Sequence, residues 1–403
     1  MRTRKQNGRS IRDSIFAVGA LGIALVAGCA GPAKKHAEPL ARVNTQVTSS
    51  IMFVPVTING RGPYWFELDT GFQNCAIERS LVKKLGLAVG PLERIQAPGG
   101  TIERATVTGA RLAVAGQELA DPRISSLDLT SFGPFFGRAP DGILGYDFLK
   151  QYVVVLDYEN RAVEIYDPAS YDRDGTDRGI ALDTSSRQPY VTAVVVTADG
   201  RRAEGRFLID TGSSDAVNLN TPFAERHSIG ESTPRVLKVR GRSIGGETSA
   251  LLTRVAALEL GGVRFSDPVA SIVEDAVDRA GQISGETLRR TTITFDYSRN
   301  RVFLKPNRAA RDSFEFDMAG WYIVAGGADL RDRVVFLVLE GSPAAKSGVK
   351  EGDRIVSVDG RRAQDMGLDE IRRLFQVEKA TRRVQLARGH RIVEVTLTLQ
   401  KLL

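Results

Sequence analysis

Residues 207–214 read FLIDTGSS and residues 66–73 read FELDTGFQ. Asp210 and Asp69 each end an apolar run of strand character, and Thr-Gly follows both, 141 residues apart. Carboxylates are rarely buried unless they are paired or hydrogen-bonded. Two placed alike in one chain demand a tertiary reason.

Working outward, the neighbours match in order. IMFVPVTINGRGPYWFELDTG (51–71) parallels YVTAVVVTADGRRAEGRFLIDTG (190–212), each an alternating strand, a turn at Asn59-Gly60 or Asp199-Gly200, and a strand ending at the aspartate. Further on, DGILGYDFLKQYVVVLDYENRAVEIYD (141–167) parallels GQISGETLRRTTITFDYSRNRVFLK (281–305), aligning Gly145 with Gly285, Asp157 with Asp296 and Tyr158 with Tyr297. Each of these units closes with strand, turn and strand. Between the landmarks lie the glycine-rich points APGGT (97–101) and SIGGET (243–248). The chain is an internal duplication of an all-β unit. DPASYDRDGTDRG (167–179) reads as the joint, and the pattern departs from both copies near 306–318.

Two equivalent lobes meeting about a pseudo-two-fold axis bring their aspartates together. Carboxylates that close share one proton. The ionised partner then draws a proton from water while the protonated one polarises a carbonyl, which is acid–base hydrolysis of an amide without metal or covalent intermediate. Gly71 and Gly212 are expected to turn the backbone so that its N–H groups face the carboxylates. Thr70 and Thr211 are expected to hydrogen-bond across the lobe interface, while the flanking apolar runs exclude water. The bland alternative is that each Asp-Thr-Gly merely makes a turn.

These motifs resemble those of the retropepsin-like aspartic proteases, with two D-T-G loops in tandem lobes of one chain, as in pepsin; the resemblance covers about residues 48–306. D-G-I-L-G (141–145) and Q-I-S-G (282–285) are similar to the segment that supports the active-site loop in that family. The resemblance implies catalytic Asp69 and Asp210. It also implies substrate-covering flaps at Gly99, Gly100 and Thr101 and at Gly245 and Gly246. The chain departs from the pepsin-like pattern at Phe72, where such lobes carry Ser or Thr; Ser213 keeps the hydroxyl. On that basis Ser213 is expected to donate to Asp210, make it the more readily ionised partner and leave the proton on Asp69. A catalytically inactive peptide-binding lipoprotein of the same fold is the alternative. Because one chain supplies both aspartates, a homodimer is not required, although pairing of each lobe with another chain's lobe is a second arrangement.

After the duplication, RVVFLVLEGSPAAKSGVKEGDRIVSVDG (333–360) reads as a strand, a short helix with Ser342 at its N-cap and Pro343 following, then turn, strand and turn. LDEIRRLFQ (368–376) is amphipathic, and 382–399 reads as a closing hairpin. This order and signature resemble a PDZ domain, an α+β fold whose members bind peptides by strand addition to a sheet edge. The resemblance places the peptide loop at Gly320, Trp321, Tyr322 and Ile323, where only part of the usual glycine-apolar pattern is present. A packing or regulatory module without a ligand is the other reading.

The net charge is +7, but Arg2, Arg4, Lys5, Arg9 and Arg12 against Asp13 supply +4 of it within residues 1–28. The remainder, with no basic block interleaved with aromatics, excludes nucleic acid as a partner. The fourteen apolar residues IFAVGALGIALVAG (15–28) suit a signal-peptide core rather than a permanent span, and V-A-G-C (26–29) resembles the bacterial lipobox, with Cys29 as the lipidated residue. An ordinary cleavage site nearby is the alternative. Ala30 after the cysteine directs sorting to an outer membrane in a cell that has one. The chain is therefore expected to be an exported, membrane-anchored lipoprotein facing the periplasm. Cys75 is the only other cysteine, so no internal disulfide is expected.

GRSIG (241–245) matches a hydrolase nucleophile motif, but no helix start follows it, so Ser243 is read as a flap residue. The three histidines, His36, His227 and His390, form no cluster, so neither metal nor cofactor is expected, and His227 is read as a surface residue near a helix. The expected architecture is mainly β: a signal peptide (1–28), a lipidated tether (29–47), two retropepsin-like barrel lobes (48–170 and 171–310) and a PDZ domain (311–403). Its expected partners are a protein or peptide substrate, a peptide ligand of the PDZ domain and the membrane.

Overall fold

The computed structural model describes residues 38–171, 178–231, 233, 235–274 and 278–403. The expected signal peptide and the expected lipidation site at Cys29 lie outside the described residues. Strands Ile51–Ile58 and Arg61–Leu68 form an antiparallel hairpin, and Arg61–Leu68 pairs on its other edge, in parallel, with Gly142–Leu144. In the second lobe Tyr190–Val196 and Arg202–Asp210 do the same, with Gly281–Ser284 as the parallel neighbour. Nine strands run in the same spatial order in both lobes, so the duplication seen in the letters is a duplication of topology.

The closing hairpins of the two copies join each other. Val153–Asp157 pairs antiparallel with Thr291–Asp296, aligning Val153 with Asp296, Val155 with Thr294 and Asp157 with Thr292. A six-stranded sheet results, built from both copies, and it fixes the lobes face to face. Phe66, Leu68, Phe207, Ile209 and Phe295 belong to one apolar cluster shared by the lobes. Each such side chain stabilises the fold by about 1.5–3 kcal/mol when fully buried.

The expected tether is shorter than the sequence pattern indicated. Ala41–Asn44 is the edge strand of the six-stranded sheet, with Val43 buried, and Gln46–Thr48 pairs with Ile51–Ile58. Runs of three or four residues are too short to show a period, and their partners lie far away in sequence.

The C-terminal unit has its own core around Trp321, Ile323, Ile355, Ile371, Phe375 and Leu386. Ser342 caps the helix Pro343–Lys346 by accepting from the Ala345 N–H, and Leu368–Leu374 forms the second helix. Strands Thr381–Arg388 and Arg391–Thr398 make the closing hairpin. This unit packs on lobe 1: Ser49 N donates to Asp369 at 2.8 Å, and Phe135 packs its ring against Phe336 and Tyr322.

Candidate active site

The strand Arg61–Leu68 ends as Asp69 N donates to Leu144 O at 3.0 Å, so the supporting segment at 142–144 holds the aspartate loop. Gly71 N then donates to Asp69 Oδ1 at 2.8 Å and Gly212 N to Asp210 Oδ1 at 3.0 Å. The two carboxyl groups are within hydrogen-bonding reach of each other. Neither glycine has a positive φ, so backbone freedom is not what requires them. Room is. A Cβ on Gly71 would lie 2.8 Å from Asp210 Oδ1, and one on Gly212 would lie 2.3 Å from Asp69 Cγ. Each lobe's glycine makes space for the other lobe's carboxyl.

The threonines lock this arrangement reciprocally. Thr70 Oγ1 donates to Ile209 O at 2.6 Å and accepts from Thr211 N at 3.0 Å. Thr211 Oγ1 donates to Leu68 O at 2.7 Å and accepts from Thr70 N at 3.0 Å. Both side chains are fully buried.

Burial first, then the neighbouring Asp210, holds the Asp69 carboxyl well above the ordinary range. Asp210 is also raised by burial, but the Gly212 N–H, the Arg279 guanidinium and the hydrogen bond from Asp69 all pull it back down. These influences hold the Asp69 carboxyl above that of Asp210, an order that favours a shared proton on Asp69. Ser213 contributes its backbone carbonyl, which accepts from Gly285 N at 2.8 Å, and its hydroxyl is not among the groups acting on Asp210. Phe72, at the matching place, joins an apolar cluster with Ile102, Leu127, Phe132 and Ile244.

The glycine-rich segments are hairpin tips. Ala88–Ala97 turns into Gly100–Thr108, with Thr101 paired to Gln96, and Leu237–Ser243 turns into Gly246–Arg254. The tips meet: Gly245 N donates to Pro98 O at 2.9 Å, and the Ser243 hydroxyl donates to the same carbonyl. Ser243 thus sits at a hairpin tip with its hydroxyl given to a carbonyl. A Cβ on Gly100 would lie 2.7 Å from Gly245 O, and one on Gly245 would lie 2.5 Å from Gly100 N. Beneath the tips runs a cleft of about 2690 Å³, lined by Asp69, Asp210, Gly99 and Ile244. A volume above that of ordinary small-molecule pockets suits an extended chain.

Glu67 escaped the sequence reading. Phe66 and Leu68 point into the core, so Glu67 lies on the opposite face with Asp69. It is 3% exposed and lines the cleft, and its carboxyl is held well above the ordinary range by burial, then by Asp69 and Asp210. A mismatch inside the repeat was the available signal, since the second copy has Leu208 there. Tyr158 and Tyr297, paired in the repeat, are both buried near the dyad, Asp210 helping to raise the first phenol and Asp69 the second. Cys75 is a buried free thiol that burial pushes up to about 12, so it is unreactive. His227 closes the helix Thr221–Arg226 and stacks near Phe223, away from any metal cluster; none is present among the described residues.

The expected PDZ peptide loop is partly occupied from within. The Asp317 carboxylate accepts from Gly320 N at 2.7 Å and Trp321 N at 3.2 Å, and its pKa is raised by burial to about 7. These are N–H groups that a terminal carboxylate would need. Trp321 and Ile323 have side chains buried in the PDZ core. Ile323 O, on the outer edge of strand Trp321–Gly326, accepts from Arg372 Nη2 at 2.7 Å, which also donates to Phe135 O of lobe 1 at 3.2 Å. Tyr322 and Ile323 nevertheless line the far end of the same cleft as the dyad.

The aspartyl protease family model matches residues 54–148 and 194–287, and a PDZ domain model matches 334–388. No curated protein matches the sequence closely enough for comparison. Among solved structures the chain is similar to a photosystem II D1 C-terminal processing protease, with 30% identity over 21% of this chain and 23% of that one and a TM-score of 0.20. The chain thus spans less than a quarter of that protein's length. Two regions that match the aspartyl protease model in tandem, followed by one that matches the PDZ domain model, make the chain similar to those families over 54–148, 194–287 and 334–388.

Proposed function

We propose that the protein is an exported, membrane-anchored aspartic endopeptidase that cleaves proteins or peptides lying extended in the cleft. The observation that carries this reading is the pair of carboxyls, each braced by its own glycine N–H and each positioned against the other lobe's glycine. Water bonds to the carbonyl carbon as Asp210 takes one of its protons and Asp69 gives its own to the carbonyl oxygen. On collapse the C–N bond breaks, the amine leaves with the proton from Asp210, and Asp69 recovers a proton from the former carbonyl oxygen. The pair returns to its single-proton state. The flap tips exclude water from above and offer main-chain groups to the substrate backbone.

The PDZ domain positions substrate in this reading, supported by Tyr322 and Ile323 lining the cleft's far end. With the loop N–H groups held by Asp317, an internal segment rather than a free C-terminus is the fitting ligand. The basic flank, apolar core and V-A-G-C (26–29) support the lipid anchor. Among the described residues no helix is long and apolar enough to cross a membrane.

The test is incubation of the full chain in detergent with a diverse peptide pool, beside Asp69→Asn and Asp210→Asn. Cleavage abolished by either change is the expected result; absence of cleavage by the unaltered chain across acid to neutral pH leaves only a peptide binder. Incorporation of labelled fatty acid, lost in Cys29→Ser, tests the anchor.

A further inference from the structure

Glu67 and Leu208 occupy equivalent places, each two residues before its aspartate on the face of the strand opposite the core. At about 3.3 Å per residue, each lies roughly 7 Å along the strand from its catalytic carboxyl. The pseudo-two-fold axis sets them on opposite flanks of the dyad, and both line the cleft. A peptide bond centred on the dyad therefore has one neighbouring side chain beside Glu67 and the other beside Leu208.

The two flanks differ in chemistry. Glu67 is bordered across the sheet by Phe53 and Ile143, both buried and apolar. No described hydrogen-bond donor or cation reaches its carboxyl, and its only charged neighbours are Asp69 and Asp210. On the other flank Leu208 borders Gln282, which accepts from Arg279 at 3.3 Å. One side of the cleft thus carries a carboxyl with no cation beside it, and the other is neutral to basic.

A nearly buried carboxyl without a partner is costly, and lobe 2 shows that a leucine fits the same place. An arriving lysine or arginine side chain favours release of the proton this carboxyl otherwise keeps, and brings a cation and donors to the ionised form within reach of a residue next to the scissile bond. Resting on the endopeptidase reading above, we infer that Glu67 is a specificity residue that selects a lysine or arginine side chain on one side of the scissile bond, while the Leu208 flank takes an uncharged one.

Peptide sets carrying Lys, Arg, norleucine or Glu at each flanking position, digested by the full chain in detergent and read by mass spectrometry, test this. The unaltered chain is expected to prefer Lys or Arg on one side only. Glu67→Leu is expected to lower the lysine-to-norleucine ratio at that side by roughly 10- to 100-fold, and Glu67→Asp to retain the preference. No cationic preference in the unaltered chain, or the same ratio in a folded Glu67→Leu and Glu67→Gln, overturns the inference. Binding of uncleavable reduced-amide peptides with Lys or norleucine gives a readout independent of turnover. A Glu67-dependent preference there without cleavage sustains the subsite and overturns the endopeptidase reading instead.

Discussion

The two lobes share nine strands in one order, yet they part company at single positions around the dyad. Lobe 1 has Glu67, Phe72 and Tyr146 where lobe 2 has Leu208, Ser213 and Glu286. What remains identical is Asp-Thr-Gly, and the structure gives each letter a reciprocal job across the interface. What differs faces the cleft or the outer support. Symmetry is kept where the lobes must fit each other and relaxed where they meet something else.

The largest effect belongs to the shared letters: Asp69→Asn or Asp210→Asn lowers peptide hydrolysis by on the order of 10³-fold or more, measured as kcat on any cleaved peptide. The two losses should be alike, because either change removes the single-proton pair. Next, Thr70→Ala strands the buried Ile209 carbonyl and Thr211 N–H, costing roughly 2–5 kcal/mol in denaturant unfolding. Thr70→Ser keeps the hydroxyl and should restore most of it.

The unshared letters have subtler signatures. Folded Glu67 keeps its proton to a pH well above the 4.5 at which the unfolded chain releases it. The unfolded state thus binds fewer protons in that window, and stability falls as pH rises through it. Glu67→Leu removes this loss, so its melting-temperature advantage should grow from about pH 4 to about pH 7; a constant difference would place Glu67 in an ordinary solvated setting. Arg279 pulls the Asp210 carboxyl down, so Arg279→Gln should move the acid limb of the pH–rate profile upward. Smallest of all is Ser213→Ala. With no hydroxyl acting on Asp210, the acid limb should stay in place.

The lobe pair also contrasts with the PDZ unit. The lobes share one apolar cluster, whereas the PDZ unit has its own and meets lobe 1 through Phe135, Ser49 and Arg372. That difference explains how legible each part was. A duplicated motif exposes itself through spacing, so both aspartates and the threonines could be placed from letters alone, whereas the flap role of the glycine-rich points came from likeness to the family. The PDZ peptide loop was placed by likeness, and the presence of Asp317 in it depends on backbone N–H directions that no local pattern reveals.

Strand periodicity, the repeat and the Asp-Thr-Gly triplets determined by themselves that two β lobes would each deliver a carboxyl, since side-chain alternation and turn chemistry are local. Folding in three dimensions is what fuses Val153–Asp157 and Thr291–Asp296 into one sheet, adds Ala41–Asn44 to it, and sets Glu67 beside the dyad with no described donor or cation at its carboxyl. Those outcomes depend on which distant surfaces meet, and the proton, charge and burial at the dyad follow from that meeting.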